Sequence, residues 1–172
     1  MKILVLNGVN LGRLGKRQPE IYGFDTLRAL NKRLKRYASA KNITLKFFQT
    51  DSEPALLKKI NRVSLDAIIL NAGAWSHYSY AVRDAVAACC VPVVEVHLSD
   101  ITARESFRKI RVLEGVVAAA FWGEGLGSYE KAVDFLAAEA VRRKKIWRLS
   151  ECRARSNPQS GAGWRKNCSC CL

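Results

Sequence analysis

Histidine is nearly absent from this chain of 172 residues, which carries only His77 and His97. None falls in the carboxyl-terminal stretch, where Cys152, Cys168, Cys170 and Cys171 lie without the paired C-x-x-C or Cys/His pattern usual for zinc. No metal site is expected. Long hydrophobic runs are also missing. The longest, Ala85 to Val94, is interrupted by Pro92 and falls well short of the ~18 residues of a bilayer-spanning helix. The early glycines form no G-x-G-x-x-G, which argues against a dinucleotide fingerprint. The amino terminus has one charge and a very short apolar stretch, so it reads as a strand and not as a secretory leader. The expected location is therefore cytoplasmic.

Acidic residues are scarce too, 15 against 29 Lys and Arg. The imbalance is uneven along the chain: residues 1–141 carry 20 basic and 14 acidic side chains, a net +6, and residues 142–172 carry 9 and 1, a net +8. Most of the excess belongs to the tail and not to a nucleic-acid footprint on the body. A modest positive body suits an anionic small-molecule substrate, which it would attract electrostatically. Cys89 and Cys90 sit in an apolar run and are expected to behave as small core residues.

Short aliphatic runs recur at Lys2–Leu6, Thr44–Gln49, Ala67–Leu70, Val91–His97 and Val116–Phe121, and read as five strands. Helical spacing lies between them, clearest at Leu27, Leu30, Leu34 and Tyr37, then at Leu56, Leu57, Ile60 and Val63. Pro54 suits a first helical turn, Thr102 with Glu105 has capping-box spacing, and Ser128 precedes an amphipathic run to Val141. This alternation predicts an α/β fold: a five-stranded parallel sheet between two helical layers, in a flavodoxin-like order. The expected division is a catalytic domain over residues 1–145 and a basic, cysteine-containing, unstructured tail over 146–172.

In such sheets ligands sit beyond the carboxyl ends of the strands. Beyond the first strand runs a loop, residues 7–23, with four glycines, Asn10, Arg13, Lys16, Arg17 and Tyr22, a composition that suits a binding lid near residues 10–24. Beyond the third lies Asn71, followed by a segment in which His77 and Asp84, seven residues apart, would share a helix face. At the fourth, the i, i+2 spacing sends Glu95 and His97 to one side of the sheet, and Arg104 and Arg108 would share a face of the next helix. Either histidine alone reads as a hydrogen-bonded structural residue. Both at strand ends, facing one crevice, favour chemistry.

The motifs Asn7-Gly-Val-Asn-Leu-Gly-Arg-Leu-Gly, Arg17-Gln-Pro-Glu-Ile-Tyr-Gly, Gln49-Thr-Asp-Ser-Glu, Ile69-Leu-Asn-Ala-Gly and Val94-Glu-Val-His-Leu-Ser occur in order over residues 2–144. In this the chain resembles the type II 3-dehydroquinate dehydratases. The resemblance implies dehydration of 3-dehydroquinate to 3-dehydroshikimate by anti elimination through an enolate, without metal, Schiff base or other cofactor, in the shikimate pathway or in quinate breakdown. It implies Tyr22 as the base, its phenolate favoured by Arg17, and His97 as the general acid oriented by Glu95. Asn10 would help to stabilise the enolate. Asn71, His77, Asp84, Leu98, Ser99 and Arg108 would hold the substrate. A trimer-based dodecamer is also implied, with no membrane or nucleic-acid partner. The competing expectation is a non-catalytic flavodoxin-like binding domain whose basic tail docks nucleic acid or a protein.

Overall fold

The computed structural model of the protein describes residues 1–16 and 24–156, with side chains described through Arg142. Packing divides the chain into Met1–Leu136 and Ala137–Leu172. The first unit holds a five-stranded parallel sheet of β1 (Lys2–Asn7), β2 (Thr44–Gln49), β3 (Ala67–Asn71), β4 (Val93–Val96) and β5 (Ala119–Phe121), in the order β2-β1-β3-β4-β5. Its helices are α1 (Leu27–Ser39), α2 (Glu53–Asn61), α3 (Tyr80–Ala87) and the first part of α4 (Leu126–Ser156). This is the flavodoxin-like α/β architecture that the alternation predicts.

The two faces of the sheet explain why its central strands are apolar throughout. In β1 and β3 the residues Leu4, Leu6, Ile68 and Leu70 join Leu56 and Ile60 of α2 and Val82, Ala85 and Val86 of α3 in one core layer. The alternate residues Ile3, Val5 and Ile69 point the other way and are equally buried, as are Leu30 and Leu34 of α1 and Val133 and Leu136 of α4. Burial of each such side chain contributes about 1.5–3 kcal/mol. The edge strand β2 instead alternates, with Lys46 exposed and Leu45 buried.

Helix starts follow side-chain chemistry. Thr26 caps α1 by accepting from the Ala29 amide at 3.2 Å, and Ser52 caps α2, with Pro54 in its first turn. Other expectations are corrected. Thr102 and Glu105 make no capping box: the Asp100 side chain takes the Thr102 amide at 2.9 Å and starts a 3₁₀ turn, Ile101–Ala103, while Glu105 pairs with Arg104 and Arg108. Helix α4 starts at Leu126, placing Ser128 inside its first turn, where its hydroxyl accepts from the Glu124 amide at 3.3 Å. Strands β4 and β5 are shorter than their apolar runs. Cys89 packs half-buried against the core, but Cys90 is exposed.

Leu136 is the last residue of the first unit and is fully buried, whereas Val141 is 68% exposed. Helix α4 continues to Ser156, through residues 146–156 that composition had assigned to an unstructured tail. The segment contains neither glycine nor proline and holds three arginines with Leu149, Glu151 and Ala154, all good helix formers, so backbone propensity sustains a helix without an apolar period. Glu139 and Arg142 add a two-bond ion pair, both bonds at 2.9 Å. Residues 157–172, with three of the tail cysteines, lie outside the described residues. Among the described residues no helix is long and apolar enough to cross a membrane.

Candidate active site at the carboxyl edge of the sheet

Parallel register brings the polar strand ends together. Asn7 of β1 is level with Asn71 of β3, and Leu70 of β3 is level with Glu95 of β4. Backbone fit draws the following loops over this edge. At Gly8 a Cβ would stand 2.5 Å from the Ala72 carbonyl oxygen, and at Gly73, with φ of +64°, it would stand 2.7 Å from that of Val9. Only glycine permits both approaches. Asn10 itself adopts the left-handed region, φ 64°, and its amide is held at 2.7 Å by the Asp51 carboxylate.

These approaches leave a cleft of about 580 Å³, a volume that includes open solvent at its mouth, between the two loops and the segment after β4. Asn10, Asn71, His77, His97, Leu98, Ser99 and Arg108 all line it. Seven of the eleven predicted site residues thus share one cavity. Glu95 lies directly behind it, fully buried, with Oε1 2.9 Å from His97 Nε2. Arg17 and Tyr22 lie outside the described residues.

Asp84 does not join them. It is exposed on α3 and absent from the cavity lining. The predicted common helix with His77 is broken: a 3₁₀ turn ends at His77, and Ser79, in an extended conformation, caps α3 by accepting from the Val82 amide at 3.0 Å. The expected helix carrying Arg104 and Arg108 is likewise two 3₁₀ turns, with Arg104 extended between them.

Electrostatics differ sharply among the lining groups. Burial alone would raise the pKa of Glu95, but the hydrogen bond from His97 and the cation of Arg111, whose Nη2 is 2.8 Å from Glu95 Oε2, bring it below the usual carboxylate value. Since an ionised carboxylate only accepts, His97 Nε2 must donate to it, leaving Nδ1 as the ring nitrogen for a substrate. His77 is stacked on His97, ring centroids 5.7 Å apart and planes 22° off parallel. Burial lowers its pKa, and the nearby His97 and Arg108 charges lower it further. Neutral His77, with Nδ1 2.8 Å from the Ile110 carbonyl and so donating to it, keeps Nε2 as an acceptor suited to a hydroxyl. Arg108 gives its Nε to Glu105 at 2.8 Å and lies 4.8 Å from the centre of the Phe107 ring, which fixes the guanidinium at the cavity wall.

Three contributors escaped the sequence reading. Asn71 Nδ2 donates to the Tyr129 hydroxyl at 2.8 Å, which donates in turn to Asn7 Oδ1 at 2.7 Å, while Asn71 Oδ1 accepts from the Gly73 amide at 3.2 Å. The Asn71 amide is therefore locked in one orientation. Tyr129 hides within the apolar pattern of α4, and Arg111 follows two other cations, Arg108 and Lys109, with nothing in its spacing to single it out.

Comparison with known proteins accords with this geometry. A family profile described as "Dehydroquinase class II" matches residues 1–137. A 3-dehydroquinate dehydratase of Pelodictyon phaeoclathratiforme is 50% identical over 137 residues, spanning 77% of this chain and 89% of that protein. One of Bacillus licheniformis is 47% identical over 135 residues, spanning 77% and 93%. Among solved structures, a type II dehydroquinase of Propionibacterium acnes superposes with a TM-score of 0.77 at 42% identity, covering 80% of this chain and 96% of the other. A 3-dehydroquinate dehydratase-like protein of Bifidobacterium longum reaches 0.60 at 25% identity, covering 81% and 98%.

Proposed function

The chain belongs to the class II dehydroquinase family, and from that premise we propose how its cleft carries out the family reaction. The activity is dehydration of 3-dehydroquinate, and not the ligand holding of a non-catalytic domain. The observation that carries the mechanism is the buried Glu95–His97 pair opening onto a cleft lined by neutral hydrogen-bonding groups and one cation.

Tyr22, as phenolate beside Arg17, removes the proton alpha to the ketone, and the electron pair of that C–H bond moves into an enolate. Asn10 helps to hold the enolate oxygen. As the enolate collapses, the C–O bond of the leaving hydroxyl breaks, and His97 delivers the proton from Nδ1, releasing water. The Glu95 carboxylate stabilises the imidazolium before transfer and fixes the ring plane, as a buried acceptor at 2.9 Å can. Arg108 meets an anionic oxygen, Asn71 and neutral His77 bond hydroxyls or the carboxylate, and Leu98 and Ser99 close the carboxylate end. Anti elimination requires that base and acid act from opposite faces of the substrate, in a site from which water is excluded.

The reading extends to a cytoplasmic enzyme of the shikimate pathway or of quinate breakdown, assembled as a trimer-based dodecamer. The exposed Tyr78, Tyr80, Phe107 and Ile110 support self-association. Asp84, exposed and outside its own chain's cleft, could serve a substrate site only where another copy brings a cleft to α3. The test is a spectrophotometric assay of enone formation from 3-dehydroquinate. We expect turnover by the wild-type chain and a loss of at least about 100-fold in Tyr22→Phe; an inert wild type, or an unimpaired variant, overturns the mechanism.

A further inference from the structure

Arg111 stands outside the cleft lining, yet it is built tightly into the acid pair. Its Nη2 lies 2.8 Å from Glu95 Oε2, on the carboxylate oxygen opposite the one that His97 uses. Its guanidinium carbon sits 4.6 Å from the centre of the Trp122 ring, and its side chain is only 15% exposed. The Nε is buried without a partner among the described residues. A cation placed at the cost of one unsatisfied donor calls for an explanation beyond packing.

We propose that Arg111 is a positioning residue that holds the Glu95 carboxylate as an anionic acceptor turned toward His97. Burial alone drives a carboxylate toward its neutral form, which would no longer hold the imidazole in one orientation as a pure acceptor. The Arg111 cation on the far oxygen opposes that drive and fixes the carboxylate plane, so the near oxygen stays an acceptor for His97 Nε2. The stack on Trp122 keeps the guanidinium in place when Glu95 loses the imidazolium charge on transfer.

The other charged or titratable groups facing this cluster among the described residues do not duplicate the effect. His77, stacked on His97, is held neutral, chiefly by burial. Arg108 lies at the cavity wall and pairs with Glu105. Glu114, 3.8 Å from Arg111 Nη1, is 76% exposed and its field is screened by solvent. Arg111 is the described cation in contact with Glu95.

This proposal rests on His97 being the general acid, but its test does not depend on turnover. The Glu95 side-chain carboxyl resonance of isotopically labelled full-length protein can be assigned with Glu95→Gln and titrated directly. In Arg111→Met and Arg111→Gln the Glu95 midpoint should rise by about one pH unit, since burial then acts without the cation. Arg111→Lys should stay within about 0.3 unit of wild type, because it keeps the charge. At neutral pH kcat should fall about three- to tenfold in the Met and Gln variants, with KM unchanged, as Arg111 does not line the cleft. Gln keeps a hydrogen-bond donor for Glu95 and decides the matter if Met does not fold. An unshifted Glu95 midpoint in folded Arg111→Gln, or a Lys variant that shifts as far as Met, overturns the proposal. A wild type that titrates as expected in this series but dehydrates nothing would overturn the proposed mechanism instead.

Discussion

Two buried polar networks stand at the same edge of the sheet, and they do different work. Asn7 and Asn71, at the ends of β1 and β3, form a neutral chain with Tyr129 of α4. Glu95, His97 and Arg111, at and after β4, form a charged one. Tyr129 is fully buried, and burial pushes its phenol pKa up, so the hydroxyl keeps its proton and can only donate one bond and accept others. That network orients. The charged one pays several kcal/mol of desolvation per ion and persists only because each charge faces an opposite one. It presents a buried carboxylate–imidazole pair to the cleft.

The contrast breaks first at its charged member. Replacing Glu95 by Gln leaves Arg111 without its buried counter-charge and His97 without its anionic acceptor. We expect kcat to fall about 100-fold and chemical denaturation to show a loss of about 3 kcal/mol. A Gln variant with near-native kcat would show that the carboxylate charge is not used. The neutral network should respond differently. Tyr129→Phe removes the hydroxyl that joins the two asparagines, costing about 1–3 kcal/mol of stability, and loosens Asn71, so KM rises a few-fold while the pH profile of kcat stays in place. A displaced pH profile in this variant would mean that the two networks are coupled.

A smaller effect concerns acid stability. His77 has a folded pKa below its usual 6.5, so its contribution is fully present above pH 6.5 and is lost as pH falls through the folded value. Glu95 is held below 4.5, so its contribution is present above pH 4.5 and lost as pH falls further. Both act in one direction. Unfolding free energy should decline in two stages on acidification, the first below pH 6.5 and absent in His77→Asn, the second below pH 4.5 and retained there. Urea titrations across about pH 2 to 8 resolve the stages, and a His77→Asn profile identical to wild type removes His77 from this account.

Much of this was legible before folding was considered. The i, i+2 spacing of Glu95 and His97 on a β-strand allowed one outcome, because alternate residues share a face. Asn10, Asn71, Leu98, Ser99 and Arg108 follow strands or sit in the loops beyond them, where α/β sheets bind ligands. The His77–Asp84 pairing failed because periodicity carries no sign of where a helix restarts: the Ser79 cap moved Asp84 off the face that seven-residue spacing predicts. The tail assignment failed for the opposite reason. Helix propensity can continue where burial has stopped, so absence of an apolar period between Lys145 and Ser156 was no evidence against a helix.

Sequence by itself determined the order of the five strands' apolar runs, the polar groups waiting at their ends and the pairing of Glu95 with His97, since each depends on neighbours a few residues apart. Only the tertiary structure decided which distant groups finish that chemistry. Tyr129 reaches Asn7 across 122 positions, and Arg111 reaches Glu95 across 16 by way of two 3₁₀ turns. Such partners leave no local pattern, because what selects them is the unmet hydrogen bond or charge of a buried group, and that need arises only once the sheet has closed around it.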